Sequence, residues 1–202
     1  MPAFVVGIGG GSASGKSTIA EKLRKHLAPL RVQVINQDHY FKEAAHLPRH
    51  ANRRGSRVWP DHNHPDSIDF PRLREALRAA RNGDTDVVIV EGILTLCDPE
   101  LRGLMDLKLF VAADPDERTV RRIRRNVAVG YSLDDICDFY LDSVRYRHQE
   151  FCQPTRTHAD LVIPGGQDEA DAAGRALDEA CCRVWGAVRE AGGGLPQPAD
   201  SG

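Results

Sequence analysis

Apolar residues fall along this chain in short unbroken runs, separated by longer stretches that repeat with helical period. The runs at residues 3–9, 32–36, 86–92, 107–113 and 160–164 are short enough, and rich enough in Val, Ile and Leu, to predict five buried strands. Ile19, Leu23 and Leu27 recur every four residues and predict a helix over 15–27. Leu73, Ala76, Leu77 and Ala80 mark a second, with Pro71 in its first turn and Asn82-Gly83 as its stop. Further helices are expected over 115–128, over 132–151 with a break at Pro154, and over 168–190. Residues 41–67 carry no clean period and are rich in His, Arg, Asn and Pro, so they read as a long loop of functional character. Strands alternating with helices predict an α/β fold, a parallel sheet covered on both faces, with ligands at the carboxyl ends of the strands.

The 202 residues allow one compact domain with a small lid: a unit over 1–190, a lid near 115–150 and a disordered tail over 191–202. A net charge of -2 gives no reason to expect nucleic acid or an anionic membrane as partner. The five cysteines form no C-x-x-C pair, which argues against a disulfide scaffold or a structural zinc. No run approaches the ~20 apolar residues that span a bilayer. The apolar stretch 4–8 lacks a basic flank and runs into glycines, unlike a signal peptide, so a cytoplasmic location is expected. Oligomeric state is not legible, and a homo-oligomer is left open. Lysine is scarce beside arginine, with five against twenty-two, so a lysine inside a motif carries more information.

One such lysine closes Gly10-Gly11-Ser12-Ala13-Ser14-Gly15-Lys16-Ser17, a full match to the phosphate loop G-x-x-x-x-G-K-[ST], followed by Thr18. Glycines let successive N–H groups converge on one anion, and the helix that starts there adds its positive end. Lys16 is expected at the β- and γ-phosphates of ATP and Ser17 on magnesium. Glu91, ending a buried strand, supplies a second metal carboxylate, directly or through water. Asp38 ends the second strand in Gln37-Asp38-His39-Tyr40, where a carboxylate could accept the proton of an attacking hydroxyl and also face the metal.

These segments resemble the uridine kinase family, within the uridine kinase and phosphoribulokinase group. GIGGGSASGKST is similar to its phosphate loop, QDHYFK to the segment with the catalytic Asp, NHPDSIDF to its D-H-P-D-x-x-D segment, and VVIVEGIL to its strand ending in Glu-Gly. LMDLKLFVAADPDERTVRRIRR and EFCQPTRTHADLVIPGG are similar to the lid strand and helix and to the approach to the last strand. The resemblance spans roughly residues 4–166. It implies a P-loop kinase three-layer fold with a five-stranded parallel sheet and a small helical lid, and an ATP- and magnesium-dependent transfer to a nucleoside hydroxyl. It further implies Asp38 as general base, Tyr40, Phe41, His62 and Asn63 on the acceptor side, and Arg122 and Arg125 as lid arginines on sugar and phosphates. Three departures stand out. The family's long hairpin between the helix of the 70s and the Glu-Gly strand is missing. Asn63 replaces an Asp, with His62 where an aromatic is usual. Val129-Gly130-Tyr131 replaces Arg-Gly-Arg. The nicotinamide riboside kinases also lack a long hairpin and stack their substrate ring between aromatics, for which Trp59, Tyr131 and Tyr146 are candidates. A nucleotide-binding protein whose kinase activity has decayed is the remaining alternative.

Two clusters lie outside that pattern. Asp61, His62 and His64 have metal-ligand spacing but are expected to be polar loop residues beside a substrate pocket. Arg145 and Arg147 are candidate phosphate contacts. Trp185 and the Cys181-Cys182 pair are expected to pack the last helix onto the sheet.

Overall fold

The computed structural model describes residues 1–51 and 58–192. The tail expectation over 191–202 therefore falls almost wholly outside the described residues. Five parallel strands make one sheet in the order β2-β5-β1-β6-β7: β1 (Phe4–Gly10), β2 (Val32–Asn36), β5 (Val87–Glu91), β6 (Leu107–Ala112) and β7 (Leu161–Pro164). A second, two-stranded antiparallel ribbon pairs β3 (Arg49–Ala51) with β4 (Val58–Pro60).

Period-two alternation sorts the side chains of the central strands onto two faces. Val6, Ile8, Val87, Ile89, Leu107 and Leu109 face α1 (Lys16–His26) and α7 (Ala170–Gly192), where Leu23, Leu27, Leu177, Val184 and Trp185 complete one core. Val5, Val88, Val90 and Phe110 face the other way, against Leu73 and Leu77 of α2 (Phe70–Arg81) and Leu101 of the short α3 (Pro99–Arg102). Every residue of β5 is buried, as an inner strand covered on both faces requires. Cys181 packs into the first core while Cys182 points to solvent, so only half of that pair serves as expected.

The region expected to form the lid holds α4 (Pro115–Ala128), then α5 (Leu133–Phe139) and α6 (Arg145–Arg147). From Leu133 to Cys152 the backbone stays helical, but Tyr140–Val144 and His148–Cys152 widen to π-helical turns. That uneven winding was not legible in the periodicity. The expected loop over 41–67 also needs correction. It contains the β3–β4 ribbon and two 3-10 turns, at Ala44–His46 and Pro65–Ser67. Three-residue strands leave too short an alternation to read. The ribbon precedes α2, whereas residues 82–86 join α2 to β5 directly, so nothing is inserted there. No described helix is long and apolar enough to cross a membrane.

Candidate functional site

The site grows from the carboxyl ends of β1, β2 and β5, where the chain turns into helices. After β1 the phosphate loop closes into α1 through Gly15, whose φ of 101° is open to glycine at little cost. Gly11 is needed for another reason. A methyl group there would run into the guanidinium of Arg118 and the ring of His148, both packed against the back of the loop.

Lys16 is buried, and burial lowers its pKa against the opposing pull of nearby Glu91 and Asp38. Its ammonium donates to the carbonyl oxygen of Gly11 at 2.9 Å, the loop's own backbone. A buried ammonium with a neutral carbonyl as its hydrogen-bond partner suits an anion drawn into the loop. The hydroxyl of Ser14 is likewise buried without a partner.

Strand parity decides the metal side. Glu91 lies two residues beyond Ile89, hence on the α1 face, and Ser17 stands in the first turn of α1. Ser17 Oγ donates to Glu91 Oε1 at 2.9 Å, and the carboxylate is only 4% exposed. A hydroxyl and a buried carboxylate joined beside the phosphate loop form a hard-oxygen donor set that fits magnesium.

Asp38 sits in the 3-10 turn Gln37–Tyr40 and is exposed to the cleft. The Asn36 side chain accepts from its N–H at 2.8 Å. Gln37, fully buried, accepts from Leu94 N at 3.0 Å and fills the space that a side chain at Gly92 would claim. That pins the Asp38 turn to the loop after Glu91. Gln37 was missed in the sequence reading, since a glutamine in a turn carries no signal of burial.

Four of the lid arginines divide the work by spacing on one face of α4. Arg118 and Arg121 anchor its base to the carbonyls of Ala113, at 3.1 Å, and Gly165, at 2.8 Å. Arg122 and Arg125, one turn on, reach the phosphate loop at Ser12 Oγ, at 3.1 and 3.3 Å. Burial, with Arg125 beside it, pushes Arg122 down to about 10, so it stays cationic at neutral pH.

Ser14, Gly15, Lys16, Ser17, Asp38, Glu91, Arg121, Arg122 and Arg125 line one cleft of about 1050 Å³, together with Thr18, Phe41, Trp59, His62, Asn63, Tyr131, Asp135 and Phe139. Phe41 meets the His62 ring edge-on at 4.9 Å, and Trp59 meets Phe139 at 5.6 Å. This part of the cleft is thus walled by aromatic rings. Phe139 was not foreseen; as one apolar residue of an amphipathic helix it reads as core.

The expected contacts of Tyr40, Arg145 and Arg147 are not made. Tyr40 is not brought to the cleft; it packs against the α2 core, under the guanidinium of Arg72 at 5.4 Å. Arg145 stacks on Tyr146, and Arg147 pairs with Asp61 and Glu150, so neither reaches the phosphate loop. Asp61, His62 and His64 diverge, as polar residues of such a loop do, and no cluster of His, Cys, Asp and Glu suited to a metal occurs among the described residues.

The comparisons with known proteins agree with this geometry. The model of the phosphoribulokinase / uridine kinase family matches residues 5–85 and 78–171. A uridine kinase of Clostridium novyi is 34% identical over 194 residues, covering 84% of this chain and 91% of its own length. That of Macrococcus caseolyticus is 36% identical over 186 residues, covering 80% and 88%. A structure described as a possible uridine kinase from Bacillus stearothermophilus shares the fold, with a TM-score of 0.53 at 18% identity over 80% of this chain and 89% of that one. A phosphate loop opening on one cleft with a Ser–Glu pair, a strand-end aspartate and lid arginines, and relatives spanning most of the chain, place this protein in the phosphoribulokinase / uridine kinase family, a family of kinases.

Proposed function

We propose that this chain transfers the γ-phosphoryl group of ATP, with magnesium, to a hydroxyl of a nucleoside. The observation that carries the reading is that Lys16, Ser17, Glu91, Asp38, Arg122 and Arg125 line one cleft together with Phe41, His62 and Asn63. Asp38 takes the proton of the attacking hydroxyl as the new O–P bond forms and the bond to the ADP oxygen breaks. Lys16 holds the β- and γ-phosphate oxygens, while Arg122 and Arg125 face the charge that builds on the transferring group. Ser17 and Glu91 would hold magnesium, with Asp38 facing it, and the ion would supply neutralisation of the phosphate charge. Asn63, which lines the same cleft, takes the sugar hydroxyls in this reading. Phe41, His62, Trp59 and Phe139 seat the ring.

A second acceptor class, nicotinamide riboside, is favoured by one feature: aromatic rings wall the acceptor end, while α2 runs directly into β5. The retention of Asp38 and Glu91 beside an intact phosphate loop weighs against a decayed, purely nucleotide-binding role.

ADP release is to be followed with ATP and magnesium across uridine, cytidine and nicotinamide riboside, with Asp38→Asn as control. The expected result is strong stimulation by one acceptor, and in the variant a loss of ~10²–10⁴-fold in turnover with ATP binding intact. Flat rates with every acceptor, despite ATP binding, would overturn the reading.

A further inference from the structure

The segment from β4 to His64 lies along the long lid helix and touches it at three levels. Trp59 meets Phe139 at 5.6 Å between ring centres, Asp61 pairs with Arg147, and His64 meets Phe151 edge-on at 4.8 Å. Phe139, Arg147 and Phe151 are spaced by eight and four residues, so they share one face of that helix. The middle contact has the chemistry of a lock. Asp61 is 0% exposed, and its Oδ2 accepts from Arg147 Nε at 2.7 Å. Its other oxygen accepts from Asn63 N at 3.0 Å, which fixes the turn carrying His62 and Asn63. Asp61 N donates to Pro48 O at 2.7 Å, tying the same residue to the base of the ribbon. Arg147 is held in turn by Glu150 at 2.6 Å and lies over the Phe151 ring. The two π-helical turns flank Arg147 directly, and such wide turns re-aim a side chain relative to regular winding.

A buried carboxylate leaves water only where its partner is dependable, because a lost partner strands a charge in low dielectric. The two elements joined by this pair serve opposite halves of the cleft. The ribbon segment bears Trp59, His62 and Asn63 at the acceptor end. The helix belongs to the lid, whose α4 presents Arg122 and Arg125 to the phosphate loop.

We infer that Asp61 and Arg147 are positioning residues, whose ion pair yokes the acceptor seat to the lid so that nucleotide binding and ordering of the seat are one movement. The acceptor role of the seat rests on the function proposed above. The yoke itself does not, because it predicts motion at Trp59 with nucleotide alone. When Arg122 and Arg125 engage phosphates, the lid carries the Trp59–Asn63 segment with it. Acceptor then binds a seat already formed, which is positive coupling between the two substrates.

The chain holds two tryptophans, Trp59 and Trp185, so a Trp185→Phe background leaves Trp59 as the sole indole reporter. In that background a non-hydrolysable ATP analogue with magnesium is expected to change Trp59 fluorescence. Asp61→Asn and Arg147→Met should lose most of that response while binding the analogue within about threefold of the parent, and Arg147→Lys should recover part of it. Phe139→Leu cuts the upper contact without stranding a charge, and should weaken the response even where the ion-pair variants fold poorly. With uridine as acceptor probe, its KM should rise ~10-fold in Asp61→Asn with the KM for ATP nearly unchanged, a size typical of coupling energies. An unaltered Trp59 response in Asp61→Asn, Arg147→Met and Phe139→Leu, or no response in the parent despite bound analogue, would overturn the yoke. Failure of uridine to turn over, with the Trp59 pattern intact, would count against the acceptor reading alone.

Discussion

His148 offers a test of how tightly the phosphate loop is backed. Its ring packs against Gly11 beside the buried Arg118, and Nδ1 is buried without a partner. Burial first, and the neighbouring Arg118 second, push its pKa from 6.5 down to about 4. A histidine whose folded value lies below its unfolded one favours folding only when neutral. That contribution is complete above pH 6.5 and is lost as pH falls from there through about 4. The full shift corresponds to ~3 kcal/mol, and because part of the ring meets solvent we take ~2 kcal/mol. For a chain of this size that is ~4–8 °C in Tm. The measurement is thermal unfolding without nucleotide from about pH 7.5 to about pH 4.5, for the parent and His148→Gln. Every other ionisable group is present in both proteins, so the difference between the two curves isolates His148. The parent should lose ~4–8 °C more than the variant across the window. Parallel curves would refute the reasoning, since they would mean that the ring accepts a proton behind the loop at no cost.

Two further outcomes follow from the cleft. Glu91→Gln keeps an acceptor for the Ser17 hydroxyl but removes the charge, and should raise the magnesium concentration for half-maximal turnover by about tenfold or more. A magnesium titration that does not move would take Glu91 out of the metal site. Arg122→Met should lower kcat by ~10²–10³-fold with a smaller change in ATP affinity, and Arg125→Met, at a more exposed position, should cost less. Steady-state kinetics beside equilibrium nucleotide binding separate the two effects. Equal losses in kcat and affinity would assign these arginines to ground-state binding.

The layers of the fold and the phosphate loop were legible because they depend on local rules. A buried strand needs an unbroken apolar run, so β1, β5 and β6 announce themselves, and a loop that wraps a phosphate needs its glycines, lysine and hydroxyl at set spacing. The apolar run also put Glu91 at the carboxyl end of β5, and the structure joins it there to Ser17. The β3–β4 ribbon was not legible, since three residues per strand show no period and its register pairs Arg49 with Pro60. The π-helical turns left no mark either, because their winding answers to what the helix packs against. Tertiary structure alone decided that Arg147 leaves the phosphates for Asp61, that Tyr40 turns into the α2 core, and that Gln37 locks the Asp38 turn. Each of these is a choice of burial partner across many residues, made by whichever charge or ring the fold brings near, and one-dimensional spacing does not encode it.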